Sequence, residues 1–366
     1  MPARALIFTA SIGAGHDLPA EVLATSLRER GATAQVVDSL KVAGPVARTI
    51  VGGGSSLDTK AGNVAFEVGY VLGTRFAPLR RAGSRVVELL AAGRFEAFLR
   101  SHPADVIVST YPLSTELLGR MRASGTLRTP VVAAITDLAA LHYWAHAGVD
   151  LHLVTHPESE REVREIAGPR TRIAAVHGLT DLRFMDPPER GVARAELGLP
   201  ARGSIVVVSG GGWGVGDLPG AIETALHYTA DTIVVLSGDN AKARERLRAA
   251  FEHEERVQIW GFTDKMVTLL AAADILIHST AGLTVLEALM CDCRVISYGW
   301  PRGHIRVNNR AYERLGMVAV ARNRTQLAHA LVAALNAPRA GAAVPDLPMA
   351  ADLVLALADP EPAHVG

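Results

Sequence analysis

The stretch "SIVVVSGGGWGVGDLPGAIETAL", residues 204–226, decides the fold. It opens with an unbroken apolar run, the mark of a strand covered on both faces in a parallel sheet. Five glycines then fall within seven positions, from Gly210 to Gly216, before a helical pattern begins at Leu218. Glycine weakens regular elements, so this density marks backbone packed close to a ligand or to other backbone. A flexible linker is the alternative, but it would rarely sit between two such apolar elements. Strand, glycine turn and helix together form one half of a βαβ unit, with an anion expected at the start of the helix.

The same alternation runs outward in both directions. Downstream, strands are read at "DTIVVLSG" (231–238), "RVQIWG" (256–261), "DILIHST" (274–280) and "RVISYG" (294–299). Upstream they are read at "ALIFTA" (5–10), "AQVVD" (34–38), "DVIVST" (105–110), "VVAAITD" (131–137), "LHLVTH" (151–156) and "RIAAVH" (172–177). Between the two series, "GLTDLRFMDPPERGVARAELGLPARG" (178–203) is polar and rich in Pro and Gly. The pattern predicts an α/β protein of two Rossmann-like parallel-sheet domains facing across a cleft. They are expected over 1–183 and 200–340, with a C-terminal helix and tail over 341–366 that can pack across the junction. Open parallel sheets bind ligands outside the carboxyl ends of their strands.

Length and charge narrow the function. The 366 residues suit two domains. Lys plus Arg and Asp plus Glu both count 37, a balance that argues against nucleic acid as a partner. The two cysteines, Cys291 and Cys293, cannot supply the roughly four ligands of a zinc site and read as small buried hydrophobes in a reducing compartment. The N-terminus lacks the apolar core of a signal peptide, and no run approaches the ~18 apolar residues of a spanning helix. A cytoplasmic protein is expected, with any membrane contact peripheral.

Three further stretches carry chemistry. In "FTASIGAGHDLPAEVL" (8–23), Gly13 and Gly15 lead from a strand to His16 just before a helix, and Leu18 stands where a dinucleotide fingerprint would have its third glycine. An imidazole with its ordinary pKa of about 6.5 suits a general base at neutral pH, although a capping or core histidine would look the same in sequence. In "IWGFTDKMVTLLAAADILIHSTAGLTVLEAL" (259–289), Thr280 to Thr284 open a helix that carries Glu287. That glutamate is placed to accept both hydroxyls of a ribose, or simply to favour the positive helix end. Residues 66–85 mix Tyr70, Leu72, Phe76 and Leu79 with Arg75, Arg80, Arg81 and Arg85. This is the composition of an interfacial segment on anionic lipid, and equally of a helix with solvated arginines.

Together these motifs resemble GT-B glycosyltransferases of the group containing monogalactosyldiacylglycerol synthases and processive diacylglycerol glucosyltransferases, with the murein-precursor N-acetylglucosaminyltransferase a more distant relative. The resemblance covers roughly residues 5–320. It rests on "SIGAGHDLPAEVL", "TDLAALHYWAHAGVDLHLV" (136–154), "VHGLTDLRF", "SGGGWGVG", "LSGDNAKARERL" (236–247), "GFTDKM" (261–266) and "STAGLTVLEAL" (279–289). It implies inverting transfer of a sugar from a nucleotide-sugar, commonly a UDP-sugar, to an acceptor hydroxyl, with no metal or other cofactor. His16 would be the base. Gly211, Gly212, Gly214 and Gly216 would frame the pyrophosphate, with Gly238 and Asn240 lining the same cleft. Gly261 and Phe262 would hold the nucleobase, and Thr284 and Glu287 the ribose side. Gly13, Gly15, Asp137, His142 and Trp144 would lie on the acceptor side. Where the lipid enzymes carry a Gly-Gln-Glu segment at the donor sugar, this chain has His304 and Ile305 within "GWPRGHIRVNN" (299–309).

The leading expectation is a transferase acting on a lipid or other hydrophobic hydroxyl at the inner membrane face. A soluble transferase of a small natural product is the second reading, and a nucleotide-sugar-binding or epimerase-like protein without an acceptor the third.

Overall fold

In a computed structural model of the chain, the described residues are 1–10, 14–45, 77–139, 142–212, 214–228, 231–299, 303–338, 341 and 345–359. The expected Gly13 and residues 66–76 of the interfacial segment lie outside them. The chain divides into two compact units: Met1–Asp181 with Leu347–Gly366, and Leu182–Asp346.

The first unit holds β1 (Arg4–Thr9), β2 (Thr33–Asp38), β3 (Val106–Ser109), β4 (Val131–Ile135), β5 (Leu151–Val154) and β6 (Ile173–Ala175) in one parallel sheet of order β2-β1-β3-β4-β5-β6. The pleat of β1 sends alternate residues to opposite faces. Ala5 and Ile7 pack with Leu23 and Leu27 of the helix Ala14–Glu29 and with Val354 of the helix Ala350–Ala358. Leu6 and Phe8 pack with Phe95 of the helix Ala77–Ser101 and Leu117 of the helix Pro112–Ala123. Both faces are therefore dry, which is why the strands read as continuous apolar runs. Burying each such Leu or Phe contributes about 1.5–3 kcal/mol.

The C-terminal helix is part of this first unit. His177 N–H donates to Pro348 O at 3.0 Å, and Ala350 N–H donates to His177 O at 2.8 Å. Arg30 Nε reaches Asp352 Oδ1 at 2.5 Å.

The second unit holds β7 (Ile205–Ser209), β8 (Thr232–Leu236), β9 (Val257–Trp260), β10 (Ile275–His278), β11 (Arg294–Tyr298) and β12 (Ala319–Ala321), again all parallel, in the order β12-β11-β10-β7-β8-β9. Val206, Val208, Ile275 and Ile277 form one core with Leu218 and Ile222 of the helix Leu218–Tyr228 and Leu327 and Leu331 of the helix Arg324–Asn336. All eleven expected strands are present. The three-residue β12 adds a twelfth.

These strand orders fix where ligands can enter. A doubly wound sheet leaves a crevice where the strand order reverses. In the first unit that point lies between β1 and β3, and in the second between β7 and β10. The segments carrying His16 and the glycine cluster both leave the sheet there.

Candidate active site

In the first unit the helix begins at Ala14, so Gly15 and His16 belong to its first turn. This corrects the placement of His16 before the helix. Thr9 Oγ1 donates to Asp17 Oδ1 at 2.9 Å and ties the helix start to the end of β1. Across the switch point, Thr110 Oγ1 donates to His16 O at 3.1 Å. The imidazole lies between two aromatic rings. Tyr111 meets it edge to face, with centroids 5.1 Å apart, and Trp144 lies tilted at 5.6 Å. Both aromatic side chains are buried. Trp144 is held in turn by its indole N–H, which donates to Asp137 Oδ2 at 3.1 Å. The structure thus brings His16, Asp137 and Trp144 together, while His142 sits exposed on the same loop.

A second layer fixes this loop. His146 N–H donates to Nε2 of the buried His152 at 3.3 Å, and His152 Nδ1 lies 3.1 Å from Thr171 Oγ1. Because Nε2 accepts, the proton of neutral His152 resides on Nδ1 and is donated to Thr171. Burial holds His152 down at about 4, so it stays neutral at physiological pH. Gly119 makes room for His146: a Cβ there would lie 2.5 Å from the His146 Nδ1.

Sequence reading missed Tyr111. The "STYP" exit from β3 marks a strand end followed by Pro112 at the helix start. Only the sheet order puts that exit beside β1. Burial, together with the nearby Asp38 carboxylate, raises the Tyr111 phenol to about 12, so it remains protonated.

In the second unit the glycines after β7 are required by packing. Gly214 has φ 60°, and a Cβ there would stand 2.4 Å from Ser237 O. Gly238, with φ 57°, faces Gly212 O at 2.2 Å in the same way. Cβ atoms at Gly211 and Gly216 would meet Thr280 Oγ1 at 3.0 Å and Ser279 Cβ at 2.8 Å. The turns after β7 and β8 therefore interlock backbone to backbone, and the side chains of Ser279 and Thr280 after β10 close on the first of them. Gly212 differs: it is exposed, and its Cβ direction is open.

The helix that follows does not offer its N-terminus to an anion, which corrects the expectation for Leu218–Tyr228. Asp217 already occupies that position. Its Oδ1 accepts from Gly220 N–H at 3.0 Å, and its Oδ2 accepts from Tyr298 Oη at 2.5 Å and from Arg324 Nε at 3.4 Å. These donors outweigh partial burial and hold the Asp217 carboxyl below its usual range, so a phosphate there would meet a fixed negative charge.

The remaining expected residues ring the same strand ends. Asn240 caps the helix Ala241–Ala250, its Oδ1 accepting from Ala243 N–H at 3.0 Å. Gly261 follows β9, and the Phe262 side chain is 68% exposed. Thr284 is half-buried and Glu287 buried on the helix Leu283–Met290. Burial and the Glu287 charge push the buried Cys291 thiol to about 12. In the helix Gly303–Leu315, His304 is exposed and Ile305 turns into the core, leaving His304 as the polar group at that position.

Similarity to known proteins follows the division into units. Residues 16–179 match the sequence model of the monogalactosyldiacylglycerol (MGDG) synthase family, and residues 214–337 match that of the glycosyl transferases group 1. The chloroplastic monogalactosyldiacylglycerol synthase 1 of Arabidopsis thaliana is 28% identical over 218 residues, 56% of this chain and 40% of that enzyme. The processive diacylglycerol beta-glucosyltransferase of Bacillus subtilis is 21% identical over 246 residues, 66% of this chain and 63% of the relative. The chain thus spans about two fifths to two thirds of the length of these two relatives. A Bacillus cereus enzyme of the same description is 20% identical over 335 residues, covering 88% of this chain and 83% of its own. Among solved structures, MurG of Acinetobacter baumannii superposes with a TM-score of 0.58 at 13% identity, covering 98% of this chain and 94% of that one. Arabidopsis thaliana UGT89C1 superposes at 0.57 and 14% identity, covering 92% and 91%.

Proposed function

We propose that this chain, a GT-B protein whose two units match two glycosyltransferase sequence models, transfers a sugar from a nucleotide-sugar to the hydroxyl of a diacylglycerol-type lipid. The observation that carries this reading is the pair of switch-point sites. One presents a histidine between aromatic rings, at the start of the residues matched by one transferase model, and the other a glycine-lined backbone surface that runs into the residues matched by the second.

In this reading His16 takes the proton of the acceptor hydroxyl as its oxygen attacks the anomeric carbon. The new bond to carbon forms as the bond to the β-phosphate oxygen breaks, and the configuration inverts. The nucleoside diphosphate leaves with both electrons of that bond. Its growing charge is met at the exposed backbone around Gly212, the open position of the glycine turn. Trp144 and Tyr111 keep water from the imidazole and fix its ring.

A membrane surface is the natural source of the acceptor. Val86, Leu89 and Leu90 are exposed on the helix Ala77–Ser101 at the i, i+3, i+4 spacing of one face, beside exposed Arg85. Among the described residues no helix is long and apolar enough to cross a membrane.

The test is to supply the full chain with radiolabelled UDP-galactose or UDP-glucose and vesicles of dioleoylglycerol in anionic phospholipid. A labelled glycolipid that accumulates one-for-one with released UDP is expected. UDP release without glycolipid, or no release, would overturn the assignment of a lipid acceptor.

A further inference from the structure

Beside the expected nucleobase position stands a cation that no motif assigned. Arg244 lies on the first turn of the helix Ala241–Ala250 and is half-buried. Its guanidinium packs directly on Gly261, where a Cβ would lie 2.5 Å from Nη1 and 3.5 Å from Cζ. Glycine at 261 therefore makes the notch in which the guanidinium rests. Among the described residues Arg244 has neither a side-chain hydrogen bond nor an ion pair, whereas the half-buried Arg120, Arg122 and Arg190 pair with Glu116, Asp150 and Asp274. Its N–H donors are therefore not committed to any described group of the protein and stand open to a ligand.

The location says which ligand. Arg244 follows β8 and Gly261 follows β9, so both lie beyond the carboxyl ends of the strands, beside Phe262 in sequence, whose ring is exposed. A flat aromatic surface with an adjacent donor-only cation suits a nucleobase that presents a carbonyl oxygen. A guanidinium has no acceptor, so it cannot receive a hydrogen bond from an exocyclic amino group.

We infer that Arg244 is a specificity-determining residue of the donor site, donating to the exocyclic carbonyl on the base edge remote from the ribose. It thereby selects uracil over cytosine and guanine over adenine. This rests on the nucleotide-sugar reading above.

Binding of UDP, CDP, GDP and ADP to the full chain, measured by titration calorimetry, tests it together with the variants Arg244→Met and Arg244→Lys. Wild type is expected to prefer UDP to CDP by about tenfold or more, the scale of one hydrogen bond to a charged group. Arg244→Met should collapse that ratio to within about threefold by weakening UDP and leaving CDP nearly unchanged, and Arg244→Lys should keep part of it. Thermal unfolding of both variants should match wild type, because Arg244 holds no other part of the protein. A ratio unchanged in Arg244→Met would overturn the role of Arg244 and leave the nucleotide-sugar reading intact. Failure of wild type to bind any of the four nucleotides would overturn both.

Discussion

The helix start that follows β1 and the turn after β7 stand at the switch points of their sheets, yet they offer different material. After β7 the working material is backbone. Gly214 and Gly238 are glycines because any Cβ would strike a carbonyl oxygen of the neighbouring turn. After β1 the working material is one side chain, His16, held between Tyr111 and Trp144. A glycine-rich strand exit is therefore not one kind of site. The two differ in what a substitution should destroy, and that is how the comparison can be broken.

The largest effect should come from the side-chain site. His16→Ala should lower the transfer rate by about 10²–10⁴-fold, the usual contribution of a positioned base, while nucleotide affinity stays within about twofold. An active variant in the glycolipid assay would remove His16 from the chemistry.

Next comes the backbone site, where stability rather than rate should suffer. Gly238→Ala combines a left-handed φ with a clash against Gly212 O, and should cost about 2–4 kcal/mol in denaturant unfolding. Gly212→Ala is its internal control. With open space around its Cβ direction, it should change stability by less than about 0.5 kcal/mol. Its effect belongs instead to donor affinity, which should fall if phosphates lie against that backbone. Equal destabilisation by both variants would contradict the interlocked turns.

A further effect concerns pH. His152 in the first unit and His278 in the second are both buried and held at about 4 by desolvation. Unfolding restores their ordinary pKa of about 6.5, so the unfolded chain binds more protons as pH falls through that window. Stability should thus be full above about pH 6.5 and decline toward pH 4, each 1 kcal/mol lost lowering Tm by roughly 2–4 °C. His152→Gln should flatten this decline in the first unit only, as read by scanning calorimetry from pH 7 to pH 4.5. An unchanged slope would separate His152 from the loop that carries Trp144.

Much of this was legible in the sequence because the signals are local. Apolar runs such as "IVVV" announce two-sided burial, and glycine density announces close backbone approach. Within the candidate site the division is similar. His16, Glu287 and the glycines stand out by type and by position after a strand. Tyr111 and Asp217 do not, because each acquires its role from a partner far along the chain. Tyr111 is 95 residues from His16 in sequence but a ring contact away in space.

What the sequence determined by itself is therefore the two parallel sheets, the two glycine-bearing exits and the histidine at one of them, since periodicity and residue type are properties of neighbours in the chain. Only the tertiary structure decided the strand order that puts β3 beside β1 and β10 beside β7, the capping of one helix start by Asp217, and the return of the C-terminal helix to the first unit. Those outcomes depend on which buried faces fit together, and a packing choice among distant segments leaves no mark within any one of them.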